Sequence, residues 1–492
     1  MAVRAEIVAA RPRPHATTLR GKRIRLSLVP LITVLLIILV GGAYAAGQGG
    51  VLNLAFPLAA LTGAAVIYWR QPAAYLAYAW WIWMLSPFVR RLADVQAGWN
   101  EMNPISLAPL LVTAVTLPTL LRHLPRFRHR ALVPFLLMTV ALIYGLAVGS
   151  VRAAVPAAAY AAATWFLPMM LGAYLIVHWE RYPEHRESLG KAFIWGLIIT
   201  GVYGVYQFIS PPQWDRYWMM QSQMDSIGRP EPFAVRVFSM MNAPGPFAYV
   251  IEGALLLMLA YRGRFRTFAI VAGTAAFLLS LVRSAWLGIL LGFALYFIYA
   301  PWRNPGRAII RGAATITAIA VLAFGASFFL PTDRIREAAA QRMATLTNIS
   351  GDYSYRERKG DLGGHLENIG QDFVGEGLGS TGTSVGLNRP VVGIRDFDNG
   401  VLEIFYALGW IGGLLFVAGL GWFVVPLLRK GEERHDDFAR AARAAGVAIL
   451  CQAIFGNVFA NVSAAIMWTC LGLHAASRRY ARESPALRRA VA

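Results

Sequence analysis

Fourteen stretches of this 492-residue chain are apolar over close to the ~20 residues that a helix needs to cross the hydrocarbon core of a bilayer. They run approximately over 26–46, 50–69, 72–89, 105–121, 131–150, 153–177, 191–209, 244–261, 266–282, 284–300, 309–330, 399–426, 441–460 and 462–477. Runs of this length and number predict an all-α, polytopic membrane helix bundle of about 12–14 transmembrane helices. The stretches on either side of Arg283 are separated by almost nothing, and read as two spans or as one broken helix pair. Only 15% of the residues are charged, against ~25% in an average soluble domain, which agrees with this class.

The net charge of +20 raises nucleic acid as a partner. The basic residues, however, sit in short clusters between apolar runs, the pattern of cytoplasmic loops, and nucleic acid is set aside. With "RPRPHATTLRGKRIR" placed in the cytoplasm, alternation puts "RHLPRFRHR", "HWERYPEHRESLGK", "YRGRFR", "RNPGRAIIRG", "RKGEERHDDFARAAR" and "SRRYARESPALRR" on the same side. Roughly two thirds of the 46 Lys and Arg fall there, so the expectation is N-in and C-in. The small residues at Ala43–Ala45 imitate a signal-peptide cleavage site, but the long span and extended basic leader favour an uncleaved helix. Cys451 and Cys470 are the only cysteines, both in apolar segments, where they read as small buried side chains.

Two segments on the outer side are too long for tight turns. One covers about 210–243, and the other, about 331–398, is large enough for a small periplasmic subdomain. The expected organisation is therefore a basic cytoplasmic N-terminus (1–25), N-terminal transmembrane helices (26–189), a core with both long loops (190–426), and C-terminal helices with a basic tail (427–492).

Chemistry-bearing residues gather towards that outer side. Arg283, in "SLVRSAWLG", lies between two spans; a cation at that depth costs ~2.5–3.5 kcal/mol on the insertion scale. It reads as an Arg snorkelling to the interface or as an anion clamp. Glu252 and Glu403 lie within spans and read as ion-pair members or as site residues, with Arg283 a candidate partner for either. Asn399 precedes Glu403 by four residues, so the two share a helix face. Asp398 or Asn399 can cap that helix. Arg356, Arg358 and Lys359 form a basic patch in the long loop, suited to a solvated cluster or to a lipid diphosphate headgroup. "GEGLGSTG" lacks the Gly-Lys-Ser/Thr ending and the strand–helix setting of a phosphate-binding loop, and reads as a backbone turn. His365 is the one histidine expected outside; an acid–base role otherwise falls to Asp398, with Asp396, Glu367 and Asp372 in reserve. Trp214, Tyr217 and Trp218 suit sugar stacking or, the favoured reading, an interfacial aromatic belt.

Taken in order, these patches resemble the O-antigen ligase and polysaccharide polymerase superfamily of bacterial inner-membrane glycosyltransferases. "RVFSMMNAPGPFAYV", with Arg236, is similar to the family's Arg followed by an Asn-Pro-rich entry to a span. "SLVRSAWLG" resembles its Ser-Arg-Ala-x-x-Gly segment, and "DYSYRERKGDL" followed by "FVGEGLGS" resembles its long periplasmic loop. "DNGVLEIFYALGWIGG" has Asn399, nine residues, then Gly409 and Gly412, as the family's ligases do. Where the ligases carry His before this Asn, this chain has Asp398, which leans the resemblance towards a polymerase. The likeness covers roughly 190–425 well and the remainder by hydropathy alone.

The resemblance implies an enzyme that polymerises undecaprenyl-diphosphate-linked oligosaccharide at the periplasmic face, without metal or cofactor. Arg283 and Arg358 would stabilise the departing diphosphate, helped by Arg356. Asp398 would take the acceptor hydroxyl's proton, oriented by Asn399. Arg236, Glu252, Lys359, His365 and Glu403 would line the diphosphate or glycan site. Expected partners are membrane lipid and the pathway's flippase and chain-length regulator. The runner-up is a ligase transferring glycan to lipid A–core, and protein O-oligosaccharyltransferases share the architecture. A transporter or flippase is the reading from a different class.

Overall fold

In lipid a chain segment must satisfy its own backbone N–H and C=O groups, and an apolar helix does this without help. The computed structural model describes residues 28–123, 132–300, 372–388, 397, 399–429, 431 and 436–483. These are all-helical apart from turns and one isolated bridge between Gly228 and Val235. In chain order the helices are α1 (Leu28–Ala45), α2 (Leu52–Arg70), α3 (Pro72–Ala97), α4 (Ala108–Ala114), α5 (Leu117–Arg122), α6 (Val133–Arg152), α7 (Val155–Val177) and α8 (Tyr182–Ile209). They continue with α9 (Gln213–Ser222), α10 (Pro244–Met258), α11 (Arg266–Leu279), α12 (Arg283–Ile298), α13 (Gly400–Leu428), α14 (Asp437–Cys451) and α15 (Asn461–Glu483).

Among the described residues, eight segments are long and apolar enough to cross a membrane: α1, Gly49–Arg70, Pro104–Arg122, α6, α7, Trp179–Ile209, α13 and Asp437–Phe455. This is the architecture of a multi-pass membrane protein. α10, α11 and α12 are apolar but shorter, while α3 and α15 have the length with less apolarity. The expected span 309–330 lies outside the described residues.

Three expected spans come out with different internal structure. The third runs on to Ala97, carrying Arg90, Arg91 and Asp94 into buried polar contacts at its end. The stretch 105–121 divides into α4 and α5 around Thr116, whose hydroxyl donates to the Thr113 carbonyl. The stretch 441–460 is helical only to Cys451; a 3-10 turn, Gln452–Phe455, and an irregular segment follow before α15.

Close approach of helices is arranged by small residues, as packing in lipid requires. α15 lies along α7, where Gly472 meets Gly172; α11 lies along α8, where Gly201 faces the Ala272–Gly273 backbone. α13 runs along α6, and α12 along α14. The up-and-down course gives the bundle two different ends. One end gathers Arg122, Arg181, Arg186, Arg262 and Arg264 with the starts of α8 and α14, where Tyr182 donates to Asp436 at 2.7 Å. The other gathers the starts of α10, α12 and α13 with the ends of α6, α8, α11 and α14. Of the expected site residues, this second end carries Arg236, Arg283 and Asn399.

Candidate functional site

α11 stops at Leu279, and the chain reverses through Ser280–Val282 with Leu281 at φ +55°. The last carbonyls of a helix have no partner within it. Arg236 supplies one: its Nε donates to the Ser280 carbonyl at 3.3 Å and its Nη2 to the Leu281 carbonyl at 3.2 Å. The Val237 N–H adds a bond to the Leu279 carbonyl at 3.1 Å. Arg236, expected to line the substrate site, thus holds the turn through its guanidinium. Arg283 follows as the first residue of α12, half-buried. A cation at a helix N-terminus does not complement the dipole, so Arg283 adds nothing to helix stability there. Its charge and the positive end of the dipole lie together at the start of α12. Around Arg283 the two helices diverge, α11 towards α8 and α12 towards α14, so they are separate elements.

The two carboxylates within spans find amide and hydroxyl partners. Glu252 on α10 accepts from Gln452 Nε2 at 2.8 Å, and both side chains press on Gly288 of α12. Glu403 on α13 accepts from Thr381 Oγ1 at 2.8 Å, with the Asn457 side chain beside it. Neither forms an ion pair with Arg283 among the described residues, and each keeps one carboxylate oxygen, Glu252 Oε1 and Glu403 Oε2, outside these bonds. Both are buried, so neither offers a surface to a glycan as expected of them.

At the mouth of α13 the cap is Asn399. Its Oδ1 accepts from the N–H groups of Val401 at 3.0 Å and Leu402 at 3.1 Å. Its Nδ2 remains as the donor that can orient a neighbouring group. Asp398, the expected base, lies outside the described residues, as do Arg356, Arg358, Lys359, His365, Asp396 and Glu367. Glu403 follows one turn down, its N–H bonded to the Asn399 carbonyl.

Above this mouth, residues 372–388 enter the bundle as a backbone insert. Gly409 bends α13 with φ +61° and ψ −172°, opening it to the chain. The N–H groups of Glu376, Gly377 and Leu378 donate to the carbonyls of Tyr406, Ala407 and Gly145, while Trp410 N–H donates to Phe373. Gly377 lies directly on Gly149 of α6, where no side chain fits. "GEGLGSTG" therefore serves main-chain contact between α6, α7 and α13. At the rim Arg152 pairs with Asp372. Burial acts to raise the Asp372 carboxyl, but Arg152 and the N–H groups of Val374 and Gly375 outweigh it and hold it below the usual carboxylate range. Asp372 is thereby engaged in holding the insert to α6.

The 210–243 segment is ordered around two arginines of α3. Arg91 pairs with Asp215 of α9, both fully buried, and donates to the Ser239 carbonyl at 2.6 Å. Gln207 and Tyr203 complete the Asp215 carboxylate at 2.6 and 2.8 Å. Arg90 lies over the rings of Trp99 and Trp218, 5.4 and 4.9 Å from their centroids. Trp218 is accordingly buried in the loop's own core, its indole N–H donating to Asn242, and does not belong to an interfacial belt. Trp214 is half-buried and donates to Tyr203.

Gln452, Asn457 and Thr381 had no part in the expected site. Their signal was present as polar side chains in the apolar run "AILCQAIFGNVFANVSAAIM" and within the glycine-rich stretch "GEGLGSTG". Among the described residues no group of three or more His, Cys, Asp and Glu side chains converges as metal ligands would. A comparison with protein-family models and a search of curated proteins both find no match to the chain.

Proposed function

We propose that the chain is a membrane glycosyltransferase that polymerises a glycan carried on a lipid diphosphate, with its working end on the periplasmic face of a bacterial inner membrane. The observation that carries this reading is the placement of Arg283, first residue of α12, at the same end of the bundle as the Asn399-capped start of α13. The basic opposite end supports the orientation with both termini in the cytoplasm. The ordered motifs resembling the ligase–polymerase superfamily supply the reaction class.

In this mechanism the acceptor hydroxyl oxygen attacks the anomeric carbon of the donor sugar. The bond from that carbon to the diphosphate oxygen breaks, and the lipid diphosphate leaves with the electron pair. Direct displacement inverts the anomeric centre. Arg283, with Arg358 and Arg356, stabilises the developing negative charge; preorganised donors of this kind contribute a few kcal/mol each, roughly 2.7–4 in measured cases. Asp398 receives the acceptor proton, which accelerates transfer by about 10²–10⁴-fold. Asn399 keeps its Oδ1 on the helix cap and orients the base or the acceptor through Nδ2.

Purified protein given a lipid-diphosphate oligosaccharide tests the reading. Ladder products from the wild type and none from Asp398→Asn or Arg283→Ala support a polymerase with these roles. Wild-type turnover in Arg283→Ala removes the diphosphate role, and a ladder from Asp398→Asn leaves Asp398 without the base role. Transfer that requires added lipid A–core identifies a ligase. The buried Glu252 and Glu403 favour the second reading, a transporter, and substrate movement across vesicles without glycosidic bond formation would establish it.

A further inference from the structure

We propose that the break between α14 and α15, from Gln452 to Asn457, is the spacer that sets the separation of Arg283 from Asn399. This rests on the transfer reading, in which Arg283 serves the leaving group and Asn399 the acceptor.

The break touches both helices at a glycine. On α12 this is Gly288, five residues beyond Arg283; a Cβ there would lie 2.6 Å from Glu252 Oε1 and run into the Gln452 amide. On α13 it is Gly400, the residue after Asn399; a Cβ there would lie 2.6 Å from the Gly456 carbonyl oxygen and 3.0 Å from Asn457 Cα. Gly400 therefore rests on the backbone of the break, and Gly288 on the Gln452 side chain that the break carries.

The contact at Gly288 is also locked by an amide–carboxylate hydrogen bond, and at Gly400 an amide lies beside a carboxyl group. Gln452 Nε2 donates to Glu252 Oε2 at 2.8 Å, tying α10 and the break together around Gly288. Asn457 turns its Oδ1 to the Phe459 N–H at 2.8 Å, which aims its NH₂ at Glu403, one turn below Asn399. Glu252, Glu403 and Gln452 are all buried. Leucines of similar size would pack there without desolvating a polar group, so the pairs serve geometry rather than stability. A continuous helix in place of the break would lack the irregular Gly456–Asn457 backbone on which Gly400 sits.

The test uses the full-length protein in lipid bilayers, with Cys451 and Cys470 replaced by alanine and spin labels at Ser284→Cys and Val401→Cys. The label-to-label distance distribution is measured alongside transfer kinetics in matching unlabelled proteins. The expected result is a narrow distribution that broadens in Gln452→Leu and in Asn457→Leu. Exchange of the partners, Glu252→Gln with Gln452→Glu or Glu403→Gln with Asn457→Asp, narrows it again. A misplacement near 1 Å can cost about 10²-fold, so kcat falls by at least about tenfold in the leucine variants while donor KM stays within about threefold. The exchanged pairs recover most of kcat. A distribution unchanged in both leucine variants overturns the inference. So does a loss of kcat that the exchanged pairs fail to recover while the distances return. Absence of transfer in the wild type, with distances still responding to the leucine variants, rejects the transfer reading and keeps the spacer.

Discussion

Arg236 and Arg283 lie on opposite sides of one reversal: Arg236 donates to the carbonyls of Ser280 and Leu281, and Arg283 begins the helix that leaves it. Two arginines that resemble one another in sequence thus do different work. One satisfies the end of α11 through its donor fork, and the other presents charge at the start of α12.

Replacing Arg236 by leucine removes both bonds and leaves two carbonyls without partners. Hydrogen bonds from a charged donor contribute about 1.5–3 kcal/mol, so Arg236→Leu lowers thermal stability by an amount of that order. Arg236→Lys recovers part of it, since an ammonium lacks the planar fork. Unfolding midpoints in detergent for the three proteins check the order wild type, Lys, Leu.

Gly409 occupies φ +61° and ψ −172°, a region open essentially to glycine alone. Alanine there incurs about 1–3 kcal/mol of backbone strain, and its methyl meets the Val374 carbonyl. Gly409→Ala therefore expels the 372–388 insert before it unfolds the bundle. Limited proteolysis shows new cleavage within 372–388 while the remaining helices stay protected.

The Arg152–Asp372 pair makes docking of that insert acid-sensitive. Asp372 is held below the usual carboxylate range, so its contribution is fully present above the unfolded value of ~3.9. It is lost as pH falls through the depressed folded value. Hydrogen exchange at the Glu376 and Gly377 amides, corrected for intrinsic rates, is expected to be flat from neutral pH down to that range and then to accelerate. Asp372→Asn abolishes the step.

Arg91 and Asp215 are both fully buried, and removing one strands the other. Breaking such a pair costs about 3–5 kcal/mol, while replacing both with apolar residues is milder. Asp215→Ala is expected to release the 210–243 segment and raise quenching of Trp214 and Trp218 fluorescence by acrylamide. Arg91→Met with Asp215→Leu keeps the quenching closer to wild type.

Apolar helices were the most legible feature because hydropathy over a run of residues is a local property of the sequence. The described helices fall on thirteen of the fourteen apolar stretches, often within a few residues. What hydropathy missed was polar backbone inside an apolar run: the division at Thr116, and the 3-10 turn at Gln452 that a window average smooths into a single span. The site was legible as residue types and only partly as contacts. Arg283 and Asn399 stand out because a charge or a cap at a span boundary is rare. Glu252 and Glu403 stand out for the same reason, yet their partners lie 200 residues away in one case and 22 in the other.

By itself the amino-acid sequence determined that this chain forms apolar helices, roughly where they lie, and which loops are basic, since each of these follows from local transfer energies and loop charge. Tertiary structure alone decided that Arg236 binds a turn and that Gln452 and Thr381 donate to the two buried carboxylates. A hydrogen bond in a bundle depends on which helices pack together, and that is set by the glycines that let their backbones meet.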